Sequence, residues 1–150
     1  MSWVTFAYTR YPMPPSDPFP EGHIVSRPML IAVLSARGRS FRCPVCLDTG
    51  ADHCVFPASI LRRLGFDPLQ LRMHLTGGVG SVANTTYYAD LEIEIPAVAS
   101  AGKRMRFPVY AGFTPGLDSQ GIAHGGANGC PAIRHGRMEL RHPTGGTVDV

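Results

Sequence analysis

Apolar and polar positions along this 150-residue chain alternate in short blocks, and the block lengths favour strands over helices. Met29-Leu-Ile-Ala-Val-Leu34 is a compact apolar run ending near Gly38, as a buried strand would be. Ser40-Phe-Arg-Cys-Pro-Val-Cys-Leu47 follows after a turn. The two segments read as a hairpin whose second strand delivers Asp48 to a loop. Leu71-Arg-Met-His-Leu75 and the stretch from Thr85 to Ile95 read as two more strands around a glycine-rich tip, Thr76-Gly-Gly-Val-Gly-Ser81. In Leu91-Glu-Ile-Glu-Ile95 apolar and acidic residues alternate, which suits a strand with one wet face. Arg106-Phe-Pro-Val-Tyr-Ala111 is a further candidate strand. The chain closes with Arg137-Met-Glu-Leu-Arg141, a Pro143-Thr-Gly-Gly146 turn and Thr147-Val-Asp-Val150, read together as a terminal hairpin. One helix is expected, from Pro57 to Leu64. Proline suits its first position, Ile60, Leu61 and Leu64 share a face, and Gly65 suits the C′ position.

Composition sharpens this picture. Gly 17 and Pro 14 are both above the usual share, so turns interrupt the chain often and long helices are disfavoured. Pro12, Pro14, Pro15, Pro18 and Pro20 fall within the first 22 residues, which are expected to form an extended arm (1–22) ahead of one domain (23–150). No apolar run approaches the roughly 20 residues that span a bilayer, so no membrane partner is expected. The opening Met1-Ser-Trp-Val-Thr-Phe-Ala-Tyr-Thr-Arg10 lacks the basic-then-apolar layout of a secretory signal. An intracellular, cytoplasmic location is the expectation. The net charge of +3 is modest and scattered. Lys103, Arg104 and Arg106 are the densest basic group, and Glu92 and Glu94 sit on the preceding strand. No basic stripe with aromatic readers is visible, so nucleic acid is not an expected partner.

Cys43, Cys46, Cys54 and Cys130 read best as thiols in a reducing compartment, the buried ones acting as small hydrophobes. Cys43-Pro-Val-Cys46 has the spacing of half a zinc site. It lies in a strand, however, where positions three apart face opposite ways. No second pair follows, and no metal or other cofactor is expected. His53, His74, His124, His135 and His142 form no H-E-x-x-H or triad spacing, and nothing marks Ser59 or Cys54 as a nucleophile.

Val45-Cys-Leu-Asp48-Thr49-Gly50-Ala51-Asp-His-Cys-Val-Phe56 resembles the active-site strand and loop of the retropepsin-like aspartic proteases. In that family an apolar pair precedes Asp-Thr-Gly or Asp-Ser-Gly, and a small residue follows. The order of parts also matches from about Ile24 to Phe113, with a helix after the loop and a glycine-rich hairpin later. The resemblance implies an all-β acid-protease fold: a closed barrel or sandwich with one short helix and a flap hairpin. It implies Asp48 as the catalytic carboxylate, supported by Thr49, Gly50 and Ala51, with Gly77, Gly78, Val79 and Gly80 as the substrate-binding flap tip. Peptides or proteins would be the substrates.

Metal-free amide hydrolysis needs one carboxylate to take a proton from water and one acid to donate to the carbonyl. Two close carboxyls cannot both ionise, so they share a proton, the logic for which aspartic proteases are the standard example. This chain carries one Asp-Thr-Gly and is too short for two such lobes, so the second carboxyl is expected from a homodimer partner across a two-fold axis. Gly121-Ile122-Ala123-His124-Gly125 is the nearest match to the family's later apolar-apolar-glycine step, with an imidazole where the glycine is expected. Three readings stand for the segment that follows: a family-specific loop with the terminal hairpin still packing against the dimer, a fold kept after catalysis was lost, or a shifted GC-rich frame. The rival function is accordingly an inactive retropepsin-fold module that binds peptides or mediates dimerisation.

Overall fold

The computed structural model describes residues 3–48, 53–76, 83–96, 104–118, 123–125, 132–134, 137–141 and 147–149. In chain order the strands are β1 (Trp3–Ala7), β2 (Thr9–Met13), β3 (His23–Arg27), β4 (Met29–Ala36), β5 (Arg39–Leu47) and β6 (Val55–Pro57). Helix α1 (Ser59–Arg63) follows, then β7 (Arg72–Thr76), β8 (Asn84–Ile95) and β9 (Arg104–Thr114). Four short strands end the chain: β10 (Ala123–Gly125), β11 (Ala132–Arg134), β12 (Arg137–Arg141) and β13 (Thr147–Asp149). The fold is all-β with one short helix, as the patterning led us to expect.

The β4–β5 hairpin forms because Arg37 and Gly38 both take positive φ, at 52° and 73°, making the two-residue turn whose twist suits right-handed strands. From there the sheet closes on itself. Strand β4 pairs with β8, β8 with β9, β9 with β6, β6 with β10, and β10 with β5. β7 and β13 extend the barrel as outer strands on β8 and β9. Along β8 the odd positions Ala89, Leu91, Ile93 and Ile95 turn inward and are buried. Glu94 turns outward and accepts from Arg106 Nε at 2.5 Å across the β8–β9 register. Leu34, Phe56, Ala111 and Phe113 have no exposed surface and meet inside the ring.

Ile60, Leu61 and Leu64 are buried in the same core, so α1 lies against the barrel on its apolar face. Its C-terminus is a Schellman turn. Gly65, at φ 83°, sends its N–H to Arg62 O, and Phe66 N–H reaches Leu61 O at 3.0 Å. The helix start differs from expectation. Pro57 is the last residue of β6, held in register with Thr114, and Ala58 is the N-cap. Pairing with β9 keeps the chain extended for one residue more than proline's fixed φ would require. Ala58 offers no capping side chain; Asp118 Oδ1 accepts from Ser59 N at 2.9 Å instead.

The terminal segments depart from the local pattern. The expected terminal hairpin does not form: β12 pairs with β1 and β13 pairs with β9, so the chain turns between two sheets. The reason is that the N-terminal strand supplies β12 with a partner from the opposite end of the sequence, which no local pattern could announce. The proline-rich start forms β1, β2 and the connection to β3, in which Ser16 and Phe19 exchange backbone hydrogen bonds in a tight turn, so a β2–β3 hairpin spans the expected boundary between residues 22 and 23. Pro12 there stands opposite Ile24 in a two-stranded sheet, where a missing N–H breaks no central ladder. Among the described residues no helix is long and apolar enough to cross a membrane.

Candidate active site

The candidate site begins with β5. Its inward positions Cys43 and Val45 are buried, and Pro44 faces out just before the strand gains a second neighbour at Val45. From Val45 to Leu47, β5 lies between β4 and the parallel β10, with Val45, Cys46 and Leu47 opposite Ala123, His124 and Gly125. Leu47 N–H also donates to Pro28 O at 2.9 Å. The strand is therefore pinned on both sides at the residue before Asp48, and the Asp48 side chain is half-buried where β5 ends.

The chain re-enters the sheet at β6, on the other side of β10. His124 is opposite Cys46 on one flank and Val55 on the other. Cys54 O accepts from Gly112 N at 2.9 Å, which anchors this second stem to β9. The strands on either side of residues 49–52 thus flank β10, and both are fixed to their neighbours. Thr49, Gly50 and Ala51, the expected support of Asp48, lie outside the described residues. So does Asp52.

A chain of rings leads from the returning foot to the next hairpin. His53 meets Tyr88 edge to face at 6.4 Å, and Tyr88 stacks on Tyr110 at 5.4 Å. Tyr88 belongs to β8, which with β7 forms the stem of the glycine-rich hairpin. Thr76 and Asn84 close that stem in register. Thr76 Oγ1 donates to Asn84 O at 3.3 Å and lies 2.6 Å from the fully buried Thr86 Oγ1. Gly77, Gly78, Val79 and Gly80, the expected flap tip, lie outside the described residues.

Charge and burial act on the cysteines near Asp48. Burial pushes the Cys46 thiol up, Arg27 pulls it down, and the Asp48 charge adds to the rise. Arg27 therefore sits within electrostatic reach of this end of β5. Burial alone pushes the Cys43 thiol up to about 11. Cys43 is buried in the core while Cys46 is half-exposed on the other face, so the C-x-x-C pair is split as strand geometry requires. Among the described residues no three His, Cys, Asp or Glu side chains gather into a metal-binding group.

Sequence reasoning located Asp48 and the stem of the hairpin. It missed that β10 threads between β5 and β6, although Ile122-Ala123-His124-Gly125 carried the signal as the expected apolar step. It also missed Arg27, whose place depends on the hairpin before β4. Chemically, one half-buried carboxylate at the end of a fixed strand can take or give a single proton, which is half of what acid–base hydrolysis of an amide needs.

No protein-family model and no curated protein sequence matches the chain. Among solved structures it is similar to a retropepsin-like aspartic protease from Rickettsia conorii, at 16% identity over 99% of each chain and a TM-score of 0.49.

Proposed function

We propose that this chain is one subunit of a homodimeric, retropepsin-like aspartic endopeptidase. Asp48 of each copy supplies one carboxyl of the catalytic pair, and the two share a proton as general base and general acid. The observation that carries this reading is the setting of Asp48. It stands half-buried at the end of a barrel strand that is tied to Pro28 and β10, and the chain beyond residues 49–52 is tied to Gly112. That rigidity is what a carboxyl needs if it is to face its two-fold mate at a fixed distance. Asp48-Thr49-Gly50-Ala51 supplies the chemistry by its resemblance to the family. Thr49 would lock the two loops together, Gly50 would let backbone amides approach the carboxylate, and Gly77 to Gly80 would close over a peptide. The enzyme would act on peptides or proteins in the cytoplasm.

The test is cleavage of a mixed peptide library between about pH 4 and 7, comparing the wild type with Asp48→Asn. Cleavage by the wild type alone supports the reading. If neither protein cuts while both are folded dimers, the endopeptidase reading falls and a peptide-binding or dimerisation module replaces it.

A further inference from the structure

Asp48 and His53 stand level with each other in the sheet, and the strand register shows how. Cys46, His124 and Val55 lie in one row across β5, β10 and β6. Because β6 runs against β5, Asp48, two residues after Cys46, and His53, two residues before Val55, are displaced from that row in the same direction. Two strand spacings, about 10 Å, separate them. The row continues to Gly112 on β9, opposite Val55, and to Tyr88 on β8, opposite Gly112. Since β6 and β9 run parallel, the same register brings Tyr110 level with His53, one strand further from Asp48.

These residues share a face. Val45, Phe56, Ala89 and Ala111 point into the core, so alternation turns Cys46, Val55, Tyr88 and Tyr110 the other way. Gly112 keeps the middle of that face clear, since a Cβ there would lie 3.5 Å from Tyr88 Cε1. The Tyr88 ring takes the space, meeting His53 edge to face at 6.4 Å and stacking on Tyr110 at 5.4 Å. Three rings from three segments thus form one wall, and it stays open. His53 is exposed, Tyr88 half-buried and Tyr110 46% exposed, whereas Phe56 and Phe113, which fill the barrel, have no exposed surface. The ionisable groups of the wall pull in opposite directions. His53 suits an acceptor, and the exposed Asp90, opposite Tyr110 in register, suits a cation. What remains common to the whole wall is ring surface, which favours another planar ring held offset or edge to face.

We propose that His53, Tyr88 and Tyr110 form a subsite that takes an aromatic side chain of the substrate peptide. The inference rests on the endopeptidase reading and deepens it by naming the residue class selected. An extended peptide advances about 3.4 Å per residue, so a wall about 10–15 Å from Asp48 meets roughly the third or fourth residue from the bond that is cut. In the homodimer each copy brings one wall, so the preference falls on both sides of that bond.

Cleavage products of a mixed peptide library test this first. They should be enriched in Phe, Tyr and Trp at roughly the third or fourth residue from the cut. For two peptides differing only by Phe or Ala at that position, wild-type kcat/KM should favour Phe about tenfold. Tyr110→Ala should bring that ratio to within about twofold of equality, and Tyr110→Phe, which keeps the ring, should retain it. His53→Ala, at an exposed position, gives the same readout if Tyr110→Ala does not fold. The two peptides should also bind the Asp48→Asn protein with Kd values about tenfold apart, a measurement that needs no turnover. Wild-type cleavage without aromatic enrichment, or a ratio unchanged in folded Tyr110→Ala, overturns the subsite and leaves the endopeptidase standing. Loss of the ratio in Tyr110→Phe overturns ring stacking as its basis. A folded wild-type dimer that cuts nothing overturns the endopeptidase reading and the subsite with it.

Discussion

Gly112 shows how one side chain, or its absence, holds the site together. A Cβ at this position would meet Thr86 Cγ2 at 2.7 Å, inside any real contact distance. Thr86 is fully buried, and its hydroxyl is tied to Thr76, so it cannot rotate away freely. Gly112→Ala is therefore expected to cost about 1–3 kcal/mol in urea unfolding, with part of the loss recovered when Thr86→Ala is added. Cys43 makes a prediction in pH. Burial raises its thiol from an ordinary value of 9.0 to about 11, so the folded protein holds this proton more tightly than the unfolded chain does. That contribution to stability is fully present below 9.0 and is lost as pH climbs through about 11. Unfolding measured at about pH 8 and about pH 10.5 should show a fall in stability that is smaller in Cys43→Ala.

Among the elements, the β7–β8 hairpin has the clearest division of labour. Its stem is fastened by hydroxyls: Thr76 donates to Asn84 O, so the short contact between Thr76 and Thr86 uses the Thr86 proton. Replacing Thr76 by Val strands a buried hydroxyl and should destabilise the protein by about 1–3 kcal/mol. If the hairpin tip closes over substrate, the same change should raise KM more than it lowers kcat. Equal effects on both would place the stem's role in overall folding instead. Outer strand β7 is exposed along Arg72 to Leu75, so its own packing holds the hairpin little and the β8 ladder does most of the work. The rings of Tyr88 and Tyr110 then connect this ladder to His53 at the foot of the Asp48 loop.

Over the whole molecule, closure of the sheet decides where stability concentrates. Strand β8 is paired with β9 throughout Tyr87 to Ile95, with β7 up to Tyr88, and with β4 only from Glu92 to Glu94. It changes partner between these two stretches, where the hairpin stem leaves the barrel. Native-state hydrogen exchange should therefore find the amides from Glu92 to Glu94 among the slowest, and those of the stem from Asn84 to Thr86 measurably faster. Equal protection along all of β8 would mean that stem and barrel open as a single unit.

The amino-acid sequence by itself determined a good deal, through rules that act over a few residues. Alternation along Leu91 to Ile95 defined an inner and an outer face, because strand side chains have a period of two. Gly65 marked the helix end, because a left-handed residue is needed there and glycine adopts it without strain. Asp48 emerged as the candidate carboxylate from the residues on either side of it. Tertiary structure alone decided the rest. The partner of β12 is β1, the cap of α1 is Asp118, and the strand between the two feet of the Asp48 loop is β10. Each joins residues 59 or more positions apart, and no periodicity reaches that far. Such pairings form because a barrel must satisfy every buried backbone donor and acceptor at once, a condition on the whole sheet that no single segment carries.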